Sequence, residues 1–269
     1  MCQVNPSPCI STVRATALTL MGLPVPADAA APNRAVLDMA QKKLGGKPVD
    51  RVVLYNPDAV ALWMYQKYTD MFRNAAEHSD LTLPMYSVMP SVTPVCFASM
   101  YSGVMPAVHG IQKYEKPVLS VATLFDDMVA AGKKAAIVST EGDSISKIFL
   151  NRSIDYFIYP TVGAVNRKAR SLLKKDEYDL IVIYNGNYDS NMHKVGPEGK
   201  KAMKALEQNM SVYGELVDMI KEYMPGHNVF YGFCPDHGCH LIDGDCGSHG
   251  LDMPEDMNVI HFYGIKTAE

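Results

Sequence analysis

Short apolar runs rich in valine, isoleucine and tyrosine alternate along this chain with longer stretches whose apolar residues recur every three or four positions. The first pattern reads as buried strand and the second as amphipathic helix. Strands are expected at 51–55, 134–139, 156–159, 179–184, 228–233 and 258–263, with a strand-like stretch at 81–88. Helices are expected at 59–76, 119–131, 165–175 and 197–223. In the last of these, Met203, Leu206, Met210, Tyr213, Leu216, Val217 and Ile220 fall on one face. Strands alternating with helices of this length predict an α/β three-layer sandwich, its central, mostly parallel sheet covered on both faces. No internal repeat or low-complexity linker interrupts the pattern, so residues 1–269 read as one domain.

Composition narrows the class. With 269 residues, 48% of them hydrophobic, the chain can bury a large core, which excludes disorder as its main state. No run of 18 apolar residues occurs, so no membrane helix is expected. A net charge of −4 gives no electrostatic reason for a nucleic-acid partner. Six cysteines are too sparse for a disulfide framework. Residues 1–9 lack the basic region and apolar core of a secretory leader. The expected setting is the cytoplasm, with reduced thiols.

Open parallel sheets place ligand groups on loops beyond the carboxyl ends of their strands. The first strand is followed by Asn56-Pro57-Asp58. The strand at 179–184 is followed by a loop carrying Asp189 and His193, and the strand at 228–233 by Cys234-Pro235-Asp236-His237-Gly238. A glycine-rich loop then reaches Gly247-Ser248-His249-Gly250. Three carboxylates and three imidazoles suit two divalent transition-metal ions. Asp189 and His193, four apart, can reach one ion from a single helical turn or from a tight loop. Asp236 and His237 need a bend to do so. Competing readings exist: these are common turn residues, Asp58 could cap the following helix, and Cys234, Cys239, His240 and Cys246 could form a structural zinc site.

Thr93 precedes Pro94 at an expected helix start, where backbone N–H groups and the helix dipole favour an alkoxide and bind phosphate oxygens. The plainer alternative is a capping threonine. Thr93, Gly103, Pro106, His109, Gly110 and Ile111 stand at the spacings of the block T-x9-G-x2-P-x2-HGI. Asp189, His193, Gly196 and Pro197 fit D-x3-H-x2-GP, and Asp236-His237-Gly238 with His249-Gly250 fits DHG…HG. In these blocks, and in their order, the sequence resembles the type I phosphodiesterase/nucleotide pyrophosphatase branch of the alkaline phosphatase superfamily.

That resemblance implies an alkaline phosphatase-like core and a metal-dependent hydrolase of small-molecule phosphoric esters. Thr93 would be the nucleophile, forming a phospho-threonine intermediate, and would touch one metal held by Asp58, Asp236 and His237. Asp189, His193 and His249 would hold the other. The ions would be zinc, with manganese as the alternative. His109 matches a mainly structural position.

Departures from the family qualify the expectation. Ala59 follows Asp58 where the family has glycine. Tyr114 stands where diesterases place a phosphate-binding asparagine, so a phenol would fill that substrate-binding role. Lys113 and Lys116 read as surface lysines, and the sulfatase Pro/Arg signature is absent. The substrate expected is a phosphodiester or nucleotide-like ester. A phosphate-transferring mutase and a non-catalytic metal- or nucleotide-binding relative are the rival classes. The family carries a helix after its last core strand, and residues 10–26 resemble that missing piece. The chain thus reads as circularly permuted, with this segment in the helix's place.

Overall fold

The computed structural model describes residues 7–269, so part of the segment examined for a leader lies outside the described residues. Among the described residues nine strands occur: β1 Arg51–Pro57, β2 Leu81–Tyr86, β3 Ala135–Thr140, β4 Asp155–Tyr159, β5 Leu180–Asn185, β6 Val229–Phe233, β7 His240–Ile242, β8 Cys246–Ser248 and β9 Asn258–Lys266. Seven build one sheet in the order β2-β9-β6-β1-β5-β3-β4, while β7 and β8 pair separately as an antiparallel hairpin. Only β9 runs against its neighbours in the large sheet. Being antiparallel to both β2 and β6, it leaves β2 running with the other five strands. All six carboxyl ends therefore open on one edge.

The strands are apolar throughout because both faces are covered. Val52, Leu54, Leu180 and Val182 enter one core, and their neighbours Val53, Tyr55, Ile181 and Ile183 enter the other. The first core is closed by helices Thr12–Leu20, Arg34–Leu44, Thr93–Ser102 and Leu124–Ala130. The second is closed mainly by helices Val162–Lys175 and Lys200–Tyr223. In the latter, Leu206, Met210, Tyr213, Leu216, Val217 and Ile220 are buried as the periodicity predicts, with Met203 at the margin.

Several local expectations change. The helix expected at 59–76 is instead helix Leu62–Lys67, a 3-10 turn Thr69–Phe72 and helix Arg73–Glu77. Its opening residues are diverted: Ala59 is left-handed at φ 64°, and Ala61 is extended and bridges Val259 of β9. The helix expected from 119 starts at Leu124, where a capping box between Thr123 and Asp126 sets its first turn. Helix Asn187–Val195 lies where no helix was assigned beyond the single turn allowed for Asp189 and His193. It presents only Tyr188 and Met192 to the interior, too few for a periodic signal.

Residues 10–26 supply helix Thr12–Leu20, which packs against helices Thr93–Ser102 and Arg34–Leu44. Ile10, Val13, Leu18 and Leu20 share a core with Val259, Tyr263 and Ile265 of β9. Arg14 is buried in this helix and bonds both oxygens of Asp127 at 2.7 and 2.9 Å. Among the described residues no helix is long and apolar enough to cross a membrane.

Candidate metal centre

The strand ends deliver their polar residues to one place. Asp58 follows β1, and its backbone N–H bonds the Asn185 carbonyl at the end of β5. Asp58 does not cap the next helix, whose N-cap is Ala61. Asp236 and His237 follow β6. Thr93, from the loop beyond β2, is the first residue of its helix and not the cap, which is Val92. Asp189 and His193 lie one turn apart on helix Asn187–Val195, and His249 follows β8.

Among the described residues, two groups of three could each converge on a cation: Asp58, Asp236 and His237, and Asp189, His193 and His249. In the first, His237 Nε2 lies 3.3 Å from Asp58 Oδ1 and 3.4 Å from Asp236 Oδ2. Thr93 Oγ1 is 3.3 Å from the same nitrogen and 3.4 Å from Asp58 Oδ2. The bend after β6 thus lets adjacent side chains converge. In the second group, Asp189 Oδ1 lies 3.2 Å from His193 Nε2 and 3.5 Å from His249 Nε2.

The three imidazoles are oriented alike. Nδ1 donates to a backbone carbonyl at 2.9 Å in each case: Gly238 for His237, Gly247 for His193 and Ser91 for His249. A carbonyl only accepts, so each neutral ring carries its proton on Nδ1 and turns the Nε2 lone pair to the carboxylates. Gly247 must be glycine for this arrangement, because a Cβ there would run into Met192 Sδ and its backbone.

The donor set suits cations. Asp58 Oδ1, Asp189 Oδ1 and Asp236 Oδ2 are buried without hydrogen-bond partners. Such atoms are costly unless something satisfies them. Here unpartnered carboxylate oxygens face nitrogen lone pairs, an arrangement that a bound cation, or a retained proton, relieves. Oxygen and imidazole ligands in mixed sets fit zinc or another first-row divalent metal.

Burial dominates the electrostatics. It raises the Asp58 carboxyl well above its usual range, aided by Asp236 and Asp189, and pushes Asp236 up to about 8. It drives His237 well below its usual value, with His249 adding repulsion, and lowers His249. The Asp189 contact raises His193 instead. Concentrated, desolvated acid and base groups of this kind mark functional sites.

Other sequence candidates fall elsewhere. Cys234 lies in the first core and Cys239 in the second, His240 is paired with Asp256 at 2.7 Å, and no cysteine joins a three-ligand group among the described residues. The five described cysteines are free. His109 is buried, bonds Ser99 at 2.9 Å and is pushed down to about 4 by burial. Lys113 is exposed beside Glu115.

An open cleft of about 400 Å³ descends to Thr93, Asp58 and Asp189. Tyr114, Lys116 and Tyr184 line it too. Lys116 bonds the Gly142 carbonyl at 2.9 Å and sits over the Tyr114 ring, so these two side chains form one wall. Sequence reasoning missed Tyr184, whose phenol donates to Asp58 Oδ2. The residue looks like any apolar strand position, and the one available signal was its place at the end of a strand that pairs beside Asp58.

The sheet and its covering layers form the alkaline phosphatase-like fold as it occurs in nucleotide pyrophosphatase/phosphodiesterases. No family model and no curated protein matches the sequence. Among solved structures, the chain is similar to human ectonucleotide pyrophosphatase/phosphodiesterase 5, at TM-score 0.63 and 12% identity, over 80% of this chain and 87% of that one. It is similar to the murine protein at TM-score 0.57 and 15% identity, over 72% of this chain and 58% of that one. An inactive threonine-to-alanine variant of the murine protein, in complex with AMP, matches at TM-score 0.59 and 16% identity, over 72% and 59% of the two chains. This chain thus spans under two thirds of the murine structures.

Proposed function

We propose that this protein is a metal-dependent hydrolase of phosphoric esters, acting on phosphodiester or nucleotide-like substrates through a phospho-threonine. The observation that carries the reading is the convergence of three unpartnered carboxylate oxygens with three Nε2 lone pairs beside the Thr93 hydroxyl. The fold it shares with nucleotide pyrophosphatase/phosphodiesterases supports it, as does the AMP complex of the murine variant.

Asp58, Asp236 and His237 would hold one divalent ion beside Thr93, and Asp189, His193 and His249 the other. Two cations so held would supply charge neutralisation for the attacking and leaving oxygens of an in-line displacement. Thr93 Oγ1 forms a bond to phosphorus as the bond from phosphorus to the leaving oxygen breaks. The hydroxyl proton departs past Asp58 Oδ2 to solvent, and the leaving alkoxide is protonated by water. A water then attacks the phospho-threonine, releasing the phosphate product and restoring the threonine hydroxyl. At the first turn of its helix, Thr93 keeps the attacked group close to the positive end of the helix dipole. Tyr114 and Lys116 would receive the rest of the substrate, the phenol donating one hydrogen bond and the ammonium compensating charge.

The test is turnover of bis(p-nitrophenyl) phosphate, p-nitrophenyl phosphate and a sulfate ester, with and without chelator. Chelator-sensitive hydrolysis of the diester above the monoester is expected. Phosphate transfer between alcohols without net hydrolysis would identify a mutase. No turnover after zinc or manganese loading would identify a binding protein.

We place the protein in the cytoplasm, a reading that the free cysteines support. We also propose that residues 10–26 take the place of the helix after the family's last strand, as their shared core with β9 suggests.

A further inference from the structure

Tyr184 is fixed by its strand, by an aromatic neighbour and by the residue beside its hydroxyl. Its ring meets Phe97 edge to face with centroids 5.7 Å apart. Its strand position pairs with Asn56, two residues before Asp58. Gly186 faces its hydroxyl so closely that a Cβ there would stand 2.7 Å from the phenol oxygen. So fixed, the buried phenol donates to Asp58 Oδ2, while Asp58 Oδ1 has no partner and faces His237.

We propose that Tyr184 is a positioning residue for the Thr93 cluster. By occupying Oδ2 it sets the rotation of the Asp58 carboxylate and leaves Oδ1 as the single free oxygen toward His237 and Asp236. A carboxylate held this way presents one oxygen to a cation rather than two. Gly186 serves the same end by leaving room for the hydroxyl. Outer hydrogen bonds of this kind tune ligand orientation and affinity. The inference rests on the metal reading above, and concerns only the first of the two clusters, because the hydroxyl donates to Asp58 and makes no hydrogen bond to Asp189, His193 or His249.

The test is zinc titration of metal-free protein against a chromophoric chelator, on the wild type, Tyr184→Phe and Gly186→Ala. The wild type is expected to bind two zinc ions. Tyr184→Phe is expected to keep both but lose about tenfold in affinity at one. Gly186→Ala, which keeps the phenol but displaces its hydroxyl, is expected to reproduce that loss and covers the case in which Tyr184→Phe fails to fold. Unchanged affinities, or equal losses at both sites as a general structural role would give, overturn the inference. A wild type that binds no zinc overturns the metal reading, and the inference with it.

Discussion

The rings of His237 and His249 stack with centroids 4.0 Å apart and planes 26° from parallel. They belong to different clusters, so the two candidate metal sites share a wall of packed imidazoles. Replacing His249 with alanine should remove one ligand outright and leave the His237 ring unsupported. Zinc stoichiometry is expected to fall from two toward one, with a smaller loss of affinity at the remaining site. Equilibrium dialysis with metal analysis measures both.

Thr93→Ala should leave the fold intact, since its hydroxyl makes only long contacts of 3.3 and 3.4 Å. Diester turnover is expected to drop about a thousandfold or more, as it does when a covalent nucleophile is deleted. Acid-quench trapping should recover a phosphoprotein from the wild type and none from the variant. Full, chelator-sensitive turnover in the variant would remove Thr93 from the mechanism.

The metal-free protein should lose stability as pH rises from about 6.5 to 8. Asp236 is raised from 3.8 to about 8, so the folded state keeps a proton that the unfolded state has released. That contribution is complete below the unfolded value and disappears as pH climbs through the folded one. Asp58 and His193, also raised, act in the same direction. Below about 6.5 the lowered His237 and His249 oppose it, because unfolding then gains protons at those rings. Thermal unfolding in chelator should therefore fall across this window, and zinc should reverse the trend.

Ala59 holds a left-handed conformation at φ 64° while its N–H faces Asp236 Oδ1 at 3.4 Å. The backbone strain is local to the site, and glycine would relieve it. Ala59→Gly is expected to stabilise the protein by up to about 1 kcal/mol, after offsetting the greater freedom of glycine in the unfolded chain. Urea denaturation measures the difference.

Arg14 and Asp127 tie the first helix to helix Leu124–Ala130, with side chains 2% and 17% exposed. Asp127→Ala would leave a buried guanidinium without its counter-charge, although the Ser102 and Ala122 carbonyls still accept from it. The expected loss is about 3–5 kcal/mol by urea denaturation. A loss below about 1 kcal/mol would mean that the carbonyls suffice.

The seven strands of the large sheet, the helix at 200–223 and the polar residues beyond those strands were legible in the sequence; the β7–β8 hairpin, expected as a loop, was not. Period and burial coincide there: β1 and β5 are apolar because both faces are covered, and the long helix carries one unbroken apolar stripe. Local chemistry also placed Thr93-Pro94 at a helix start. Sequence spacing could suggest that Asp189 and His193 meet, because one helical turn joins them. It could not turn Asp236 and His237 to a common point, or bring His249 onto His237, since those relations depend on the bend after β6 and on the β7–β8 hairpin. Nor could it find Tyr184. A tyrosine at the end of a buried strand satisfies the pattern as a core residue, and only the parallel pairing of β5 with β1 sets its hydroxyl against Asp58. The sequence by itself determined which groups stand at the sheet edge. Tertiary structure decided which atoms of those groups are left without partners, because that depends on what the neighbouring strands and loops have already satisfied.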